Sequence, residues 1–515
     1  MTSSTAPPDA AGAGATPHHL WARAPAQYRI DAQLAQLKAR YAWLNIGPNA
    51  AIGDSVLPFE IDLPSRFRGP MDWLYAYIAD TGTTMVEVEP YIDLDYHDEF
   101  SNFYAYTFKP PPARCERLHL WMDADRYLGY ASIRPVPGSP ICRSILTPAP
   151  GAEYVTCRVQ GDARPFGDQR RVHGFPFLGQ DSQYSRCAHA AVWMVSYYHH
   201  LANRTPRYYL SDIVKAAEQH EYERVTPSAG LTDTQVGVAC NRLGVPARQY
   251  TRDGDNGESG DGLKAIITRY LDSGIPIILC WWDGVSRLKH MTVAIGYRRP
   301  DTQALEVVQH DDLSGAYSFK RLDGKLHSIF VPIPERVYLS GHAAAQFAEQ
   351  QWESIEEGLP PERRDPLGSY DRLDIRTYLT HSRRYKSLLG IREVGPDMHS
   401  RFRMADFPRW IWVAEIHDVA RRQRREHDHV IGELVVDATS DRHNPRMIVG
   451  AAPGELLVWG DMAGEPADRF QTDSSNTPAR YLSGVATTSA AGVRSSERFA
   501  NVANQRQTPR RRPAD

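Results

Sequence analysis

The chain has 515 residues, enough for about three domains of ordinary size. Its hydrophobic fraction of 42% is typical of globular proteins, and a formal net charge of -3 is close to neutral for this length. This balance argues against a protein whose main role is to coat nucleic acid or an anionic membrane. Six cysteines without a CxxC pair indicate a reducing, cytoplasmic environment rather than a disulfide framework.

Residues 1–19 are rich in Ala, Pro, Gly and Ser and lack hydrophobic periodicity, which predicts a disordered leader. They contain neither the basic segment nor the apolar segment of a secretory signal. The most apolar short stretch, 276–282, is too short to cross a bilayer. We therefore expect a cytoplasmic protein with no membrane and no nucleic-acid partner.

Residues 20–170 are predicted to form a β-rich α+β accessory domain. Segments 84–89, 103–108 and 127–133 have the alternation or composition of strands, and 71–79 has the pattern of a helix.

An acidic cluster, Asp93, Asp95, Asp98 and Glu99, lies within this domain. It has two interpretations, a metal site or a solvated strand end and turn. We favour the solvated turn, because the spacing of an EF-hand calcium loop is absent.

The most informative segment surrounds Cys187. Polar turn formers precede this residue, and apolar residues at helical spacing follow it, so Cys187 falls in the first turn of a buried helix. The partial positive charge of a helix N-terminus stabilises a thiolate. Its free N–H groups, with a glutamine amide a few residues upstream, can donate to the oxyanion that forms when a thiolate attacks a carbonyl.

A cysteine nucleophile also needs a base and a group that orients the base. A buried strand is predicted over 274–282, and His290 opens a second apolar strand. A third strand, 305–312, carries carboxylates at its exit. If Pro300 and Asp301 occupy a two-residue turn, Asp311 lies directly across from His290, since opposite residues in a hairpin keep a constant index sum.

A shift of that register by one residue would give the orienting role to Asp312 or His310 instead. Three other histidines lie on the helix of Cys187. His189 is expected to point away from the face of the cysteine, and His199 and His200 are interpreted as surface residues at the helix end.

The order of these motifs resembles the papain-like cysteine peptidase clan, and within it the bacteriocin leader-processing peptidases and their soluble relatives. The resemblance rests on Gln…Cys-Ala-x-Ala-Ala, Gly-Ile-Pro-Ile-Ile, His-Met-Thr-Val-Ala-Ile-Gly-Tyr and Val-Val-Gln-His-Asp, and it covers roughly 172–333. It implies an α+β domain over 171–335, with the cysteine on an N-terminal helix and the histidine and aspartate on an antiparallel sheet.

The resemblance implies that Cys187 is the nucleophile, His290 the base and Asp311 the orienting residue. It assigns the oxyanion glutamine to Gln180, with Gln183 in reserve. The chain departs from the family in two respects: alanine follows the cysteine where Gly or Trp is usual, and Gln180 precedes it by seven residues rather than about six.

The expected function is hydrolysis of peptide bonds in a protein or peptide substrate, through a thioester intermediate and without a metal or organic cofactor. Two alternatives stay open: deamidation or acyl transfer by the same triad, and an inactive papain-like module that binds partners. The flanking domains are candidate sites for a regulatory partner.

Residues 336–463 are predicted to be a mixed α/β region. It would contain helices at 343–357 and 372–388 and strands at 410–416, 430–436 and 456–459.

Three histidines of this region, His417, His427 and His429, could suggest a metal site. Beside the arginine-rich run 421–425, they are more simply interpreted as an exposed helix end. Residues 464–515 are polar and aperiodic and are predicted to be a disordered tail.

Overall fold

The protein has an α+β fold that contains three six-stranded sheets, and every described strand pair is antiparallel. This agrees with the α+β class expected from the sequence. The predicted leader and the predicted turn at 300–301 lie outside the described residues. The computed structural model describes residues 26–42, 71–148, 155–218, 228–252, 260–282, 289–298, 305–322, 325–358, 373–389, 406–419, 429–452, 455–458 and 468–471.

The first sheet has the strand order β1-β2-β3-β4-β6-β5. Its strands are β1 Met85–Tyr91, β2 Cys115–Trp121, β3 Tyr127–Ile133, β4 Ile141–Leu146, β5 Val159–Ala163 and β6 Arg170–Phe177, and its helices are α1 Ala26–Arg40, α2 Asp72–Asp80 and α3 Leu94–Asn102. The predicted boundary at 170/171 falls on β6, which pairs with β4 and β5. The boundary of the first sheet therefore lies after Phe177.

The predicted strand at 103–108 is wrong, because a 3-10 helix occupies Tyr104–Tyr106. Phe103 and Tyr104 pack on the protein, whereas Tyr106 and Phe108 are exposed. The hydroxyl of Tyr104 donates to Asp181 at 2.7 Å. This long-range contact holds the segment beside the loop before Cys187 instead of in the sheet.

The second sheet has the strand order β11-β10-β9-β8-β12-β7. Its strands are β7 Ala247–Thr251, β8 Ile277–Trp282, β9 Lys289–Arg298, β10 Glu306–Asp311, β11 Gly315–Arg321 and β12 Leu326–Pro332, and the associated helices are α4 Cys187–Asn203, α5 Leu210–Glu218, α6 Asp233–Arg242 and α7 Gly260–Asp272. The predicted helix after Cys187 and the three predicted strands are confirmed. Helix α4 is buried along most of its length and packs on β9.

The third sheet is a meander in which β13 to β18 follow one another in space as in sequence. Its elements are β13 Leu373–His381, β14 Trp410–Asp418, β15 Val430–Asp437, β16 Met447–Ala452, β17 Glu455–Val458, β18 Asp468–Gln471, α8 Gly341–Gly358 and α9 Ser382–Leu389. Helix α8 and the three predicted strands agree with the sequence, except that residue 459 lies outside the described residues. Among the described helices, none combines the length and the apolar character of a membrane span.

Two predictions for this region are wrong. The helix predicted over 372–388 is strand β13 followed by the short helix α9. A charged residue hides the strand pattern, since Arg376 is buried and pairs with Asp272 and Glu415 at 3.0 and 3.1 Å. The tail predicted from residue 464 also contains β18, which pairs with β17 along its whole length.

Candidate active site

The loop before α4 is built around one carboxylate. Asp181 accepts hydrogen bonds from the backbone N–H groups of Gln183, Tyr184 and Ser185 at 3.2, 3.1 and 2.6 Å. A short side chain that caps several successive N–H groups fixes a tight turn. The turn leads directly into α4, whose first residue is the half-buried Cys187.

The neighbouring His189 is fully buried. Its Nδ1 accepts a hydrogen bond from the backbone N–H of Arg186 at 3.3 Å, and its Nε2 lies 3.9 Å from Glu218. These contacts tie His189 to the helix start and to α5.

His290 lies near the start of β9 and donates from Nε2 to Asp311 Oδ1 at 2.9 Å. Burial by itself lowers the pKa of His290, but the charge and hydrogen bond of Asp311 outweigh it, with a further contribution from a hydrogen bond to Cys187. The pKa of His290 is therefore raised well above its ordinary value. The imidazole thus interacts with a carboxylate and with the thiol.

Asp311 is itself held by its surroundings. Its Oδ1 accepts from the N–H of Leu313 at 3.0 Å, and its Oδ2 accepts from the hydroxyl of Ser314 at 2.7 Å. Burial raises the pKa of Asp311, but His290 and these hydrogen bonds outweigh it and lower the pKa to about 2. The carboxylate is therefore ionised across the whole physiological range.

The strand register differs from the predicted one. His290 and Asp311 have an index sum of 601, whereas the paired residues of β9 and β10 sum to 604 near the turn and to 603 beyond a bulge at Ile295. On this register residue 311 lies opposite residue 292. His290 lies two residues before residue 292 on β9. Its side chain therefore points to the same face of the sheet as those of residues 292 and 311.

The bulge decides which carboxylate can reach the base. Without it, the index sum would stay at 604, and Asp312 would share the face of His290. The extra residue, Ile295, leaves the ladder, and its carbonyl accepts from the backbone N–H groups of Thr156 and Cys157, both at 3.0 Å. The segment between β4 and β5 of the first sheet thus satisfies the backbone group that the bulge exposes.

Asp312 lies beside the base without a hydrogen bond to it. Its side chain is 1% exposed, and its Oδ1 is 4.0 Å from His290 Nε2. Neither of its carboxylate oxygens has a hydrogen-bond partner within the described ranges. Burial raises the pKa of Asp312 to about 7, so the group is partly protonated near neutral pH.

Gln180 and Gln183 occupy the loop before the nucleophile. Gln180 is buried, and its main-chain carbonyl accepts a hydrogen bond from the Ser139 hydroxyl. Gln183 is half-buried, and its carbonyl accepts from the N–H of Ser228 at 2.8 Å. Within the described part of the chain, no hydrogen bond joins either side-chain amide to Cys187.

One group of side chains could hold a cation. His290, Asp311 and Asp312 offer ligand atoms that lie within 4.8 Å of one another. Metal binding requires a deprotonated imidazole nitrogen. Nε2 of His290 donates to Asp311 in this arrangement, so a cation bound at that nitrogen would replace the shared proton.

Several histidines predicted to be on the surface are buried. His199 is 3% exposed, and burial lowers its pKa to about 4. His417 lies inside β14, and its ring stacks on His429 with centroids 5.3 Å apart, so the predicted exposed helix end is wrong. His427 lies outside the described residues.

The acidic cluster is also buried, which corrects the predicted solvated turn. Asp93, Asp95 and Glu99 are at most 1% exposed, and arginines from distant parts of the chain pair with them. A single sequence does not indicate these partners. The ion pairs are Asp93 with Arg117 and Arg143, Asp95 with Arg143 and Arg207, and Glu99 with Arg134.

No protein-family model matches the chain, and no curated protein matches it.

Proposed function

We propose that the chain is a papain-like cysteine hydrolase that cleaves peptide bonds in protein or peptide substrates of the cytoplasm. The observation that carries this proposal is the position of His290, which donates to Asp311 from Nε2 and also interacts with the thiol of Cys187. A nucleophile, a base and a group that orients the base are the three parts of a cysteine-hydrolase triad.

In the first half of the proposed reaction, the Cys187 thiolate adds to the carbonyl carbon of the scissile bond. The resulting oxyanion accepts hydrogen bonds from the Cys187 N–H and the Gln180 amide. His290 then gives its proton to the leaving amine as the carbon–nitrogen bond breaks, which leaves a thioester.

In the second half, neutral His290 takes a proton from water, and the hydroxide adds to the thioester carbonyl. Collapse of this second oxyanion expels the Cys187 thiolate, releases the acid product and restores the imidazolium. Asp311 stays ionised and holds the ring in one orientation throughout.

We expect Cys187→Ala to remain folded but to lose all turnover, because the reaction needs the sulfur rather than its volume. The test incubates a host proteome with the wild type and with Cys187→Ala and compares the new N-termini. The melting temperature of the variant serves as the folding control. If Cys187→Ala still produces the wild-type set of cleavages, the proposed mechanism fails.

A second measurement tests activation of the thiol by labelling with iodoacetamide at neutral pH. Cys187 is the only one of the six cysteines that is not fully buried, so accessibility alone would favour its labelling. The decisive comparison is therefore His290→Ala, in which Cys187 keeps its position and loses its base. Faster labelling in the wild type supports an activated thiolate, and equal rates point to an inactive binding module.

The proteome experiment also separates the chemical alternatives. New N-termini identify peptide hydrolysis. Conversion of glutamine to glutamate, or new isopeptide links without new N-termini, would identify deamidation or acyl transfer by the same triad.

A further inference from the structure

A buried arginine connects the first sheet to the loop that carries Gln180. Arg134 follows β3 directly and is fully buried. Its Nη2 donates to the carbonyl of Gly179 at 2.8 Å and to the hydroxyl of Ser139 at 2.9 Å, and its Nε donates to the carbonyl of Ser139 at 2.8 Å. The remaining nitrogen, Nη1, donates to Glu99 at 2.5 Å. All three guanidinium nitrogens are thus engaged.

Ser139 extends this contact by one residue. Its hydroxyl accepts from Arg134 and donates to the carbonyl of Gln180. The carbonyls of two successive loop residues, Gly179 and Gln180, are therefore both held through Arg134, one directly and one through Ser139. A planar guanidinium with fixed partners restricts such a loop more than a flexible ammonium group would.

The loop is also pressed against β4. The N–H of Gly179 donates to the carbonyl of Ile141 at 3.2 Å. A Cβ added at Gly179 would lie 2.6 Å from that same oxygen, so no larger residue fits without movement of the backbone. The main chain at 179–180 is thus fixed against β4 on one side and by Arg134 on the other.

We infer that Arg134 is a positioning residue that sets the location of Gln180 in the oxyanion hole, so that the first sheet is part of the catalytic unit. The inference rests on the proposed function, because it assumes that Gln180 donates to an oxyanion. Arg134 touches no reacting atom and acts only through the loop. Oxyanion donors are effective only when they are held in place before the reaction.

The test compares two reactions of the same thiolate. Iodoacetamide forms a carbon–sulfur bond as iodide leaves, and no oxyanion appears. With p-nitrophenyl acetate the thiolate adds to a carbonyl, and the oxyanion collapses to a thioester as p-nitrophenolate leaves. Only the second reaction depends on the oxyanion hole. The ratio of the acylation rate constant to the alkylation rate constant therefore measures stabilisation of the oxyanion. Changes in the reactivity of the thiol affect both rate constants and cancel in this ratio.

We expect Arg134→Lys to lower the acylation rate by about tenfold or more while the alkylation rate stays the same. The matched control is Arg143→Lys. Arg143 is buried in the same sheet and pairs with Asp93 and Asp95 at 3.1 and 3.2 Å, and its described contacts do not include the loop before Cys187. This control should leave the ratio unchanged.

A double-mutant cycle distinguishes positioning from a general structural effect. In a Gln180→Ala background, Arg134→Lys should cause no further loss of acylation, because the group that it positions is already gone. If Arg134→Lys does not fold, Ser139→Ala removes the hydroxyl that joins Arg134 to the carbonyl of Gln180 without changing any charge. It should lower the ratio in the same direction, and it too should have no effect once Gln180 is removed.

The inference is overturned if a folded Arg134→Lys or Ser139→Ala keeps the wild-type ratio. It is also overturned if Arg143→Lys lowers the ratio as much as Arg134→Lys, or if the losses add in the Gln180→Ala background. Failure of the proposed function looks different, since wild-type Cys187 would then be alkylated no faster than in His290→Ala.

Discussion

At the scale of single residues, His290 is held in its protonated form by two neighbours. Asp311 supplies a full negative charge at 2.9 Å, and Cys187 supplies a hydrogen bond. Both raise the pKa of the imidazole, so an imidazolium should persist to a higher pH than in an ordinary histidine. The proposed first step uses this proton to protonate the leaving amine.

The pH dependence of the reaction should therefore change when the charge of Asp311 is removed. In the wild type, the alkaline loss of activity should follow deprotonation of the His290 imidazolium at its raised pKa. In Asp311→Asn that pKa falls, and the alkaline limb of kcat/KM should move to lower pH by about one unit or more. The measurement uses a peptide identified by proteome cleavage, and an unchanged alkaline limb would contradict this account.

The two adjacent carboxylates should differ in their effect on rate. We expect Asp311→Ala to lower kcat by a factor on the order of 10² to 10⁴, because the base loses its orienting hydrogen bond. Asp312→Asn should have a mild effect, since Asp312 is offset from the base and is partly protonated near neutral pH. The measurement is steady-state kcat for both variants after each is shown to be folded. A larger loss of kcat in Asp312→Asn than in Asp311→Ala would make Asp312 the orienting group.

At the scale of elements, β10 carries a buried histidine at the junction of two sheets. The ring of His310 lies edge-on to Phe175, Phe177 and Tyr317, with centroids 4.7 to 5.7 Å apart. Its Nδ1 donates to the carbonyl of Pro176 on β6 at 3.3 Å. Burial lowers the pKa of His310 to about 3, so the folded protein keeps this ring neutral.

This burial should make the fold sensitive to acid. The unfolded chain protonates the histidine below pH about 6.5, whereas the folded protein does so only near pH 3, so stability is lost as the pH falls between these values. From pH 7 to 5 the loss attributable to His310 is about 2 kcal/mol.

We predict that His310→Phe removes most of that pH dependence from the free energy of unfolding, because phenylalanine preserves the ring packing and cannot be protonated. Urea titrations at pH 7 and pH 5 provide the measurement. His173→Phe, on the exposed side of β6, is the control and should leave the dependence intact. If both variants keep the wild-type dependence, other groups cause it.

At the scale of the whole molecule, polar contacts connect the sheets. The indole of Trp193 on α4 donates at 2.9 Å to Asp95 on α3, the helix that contacts β4 of the first sheet. Arg376 of the third sheet pairs with Asp272 on α7 at 3.0 Å. Within the described residues, these contacts pack the flanking regions on the central one.

The C-terminal end provides a test at this scale. Truncation at residue 463 removes β18 and exposes the edge of β17, and we expect the melting temperature to fall by a few degrees. Truncation after Gln471 keeps this strand and removes only an aperiodic polar sequence, so it should leave the melting temperature unchanged. Equal melting temperatures for both truncations would show that β18 contributes nothing to stability.

The local features of the candidate site could be predicted from the pattern of residues along the chain. Apolar residues at helical spacing predicted a helix that begins near Cys187, and apolar runs bounded by turns predicted β8, β9 and β10. The sequence also predicted that Asp311 shares a face with His290, although the underlying register was wrong by two. An even error preserves the face of a strand, because side chains alternate with a period of two.

The features that depend on distant partners could not be predicted from the sequence. The bulge at Ile295 is stabilised by backbone groups of residues 156 and 157, and no local pattern in β9 indicates it. The predicted solvated turn at the acidic cluster and the predicted helix over 372–388 are wrong for the same reason, since a charged residue is expected to be exposed until its buried partner is known. Periodicity reports the burial of apolar side chains along one element, whereas the pairing of buried charges is set by residues far away in sequence.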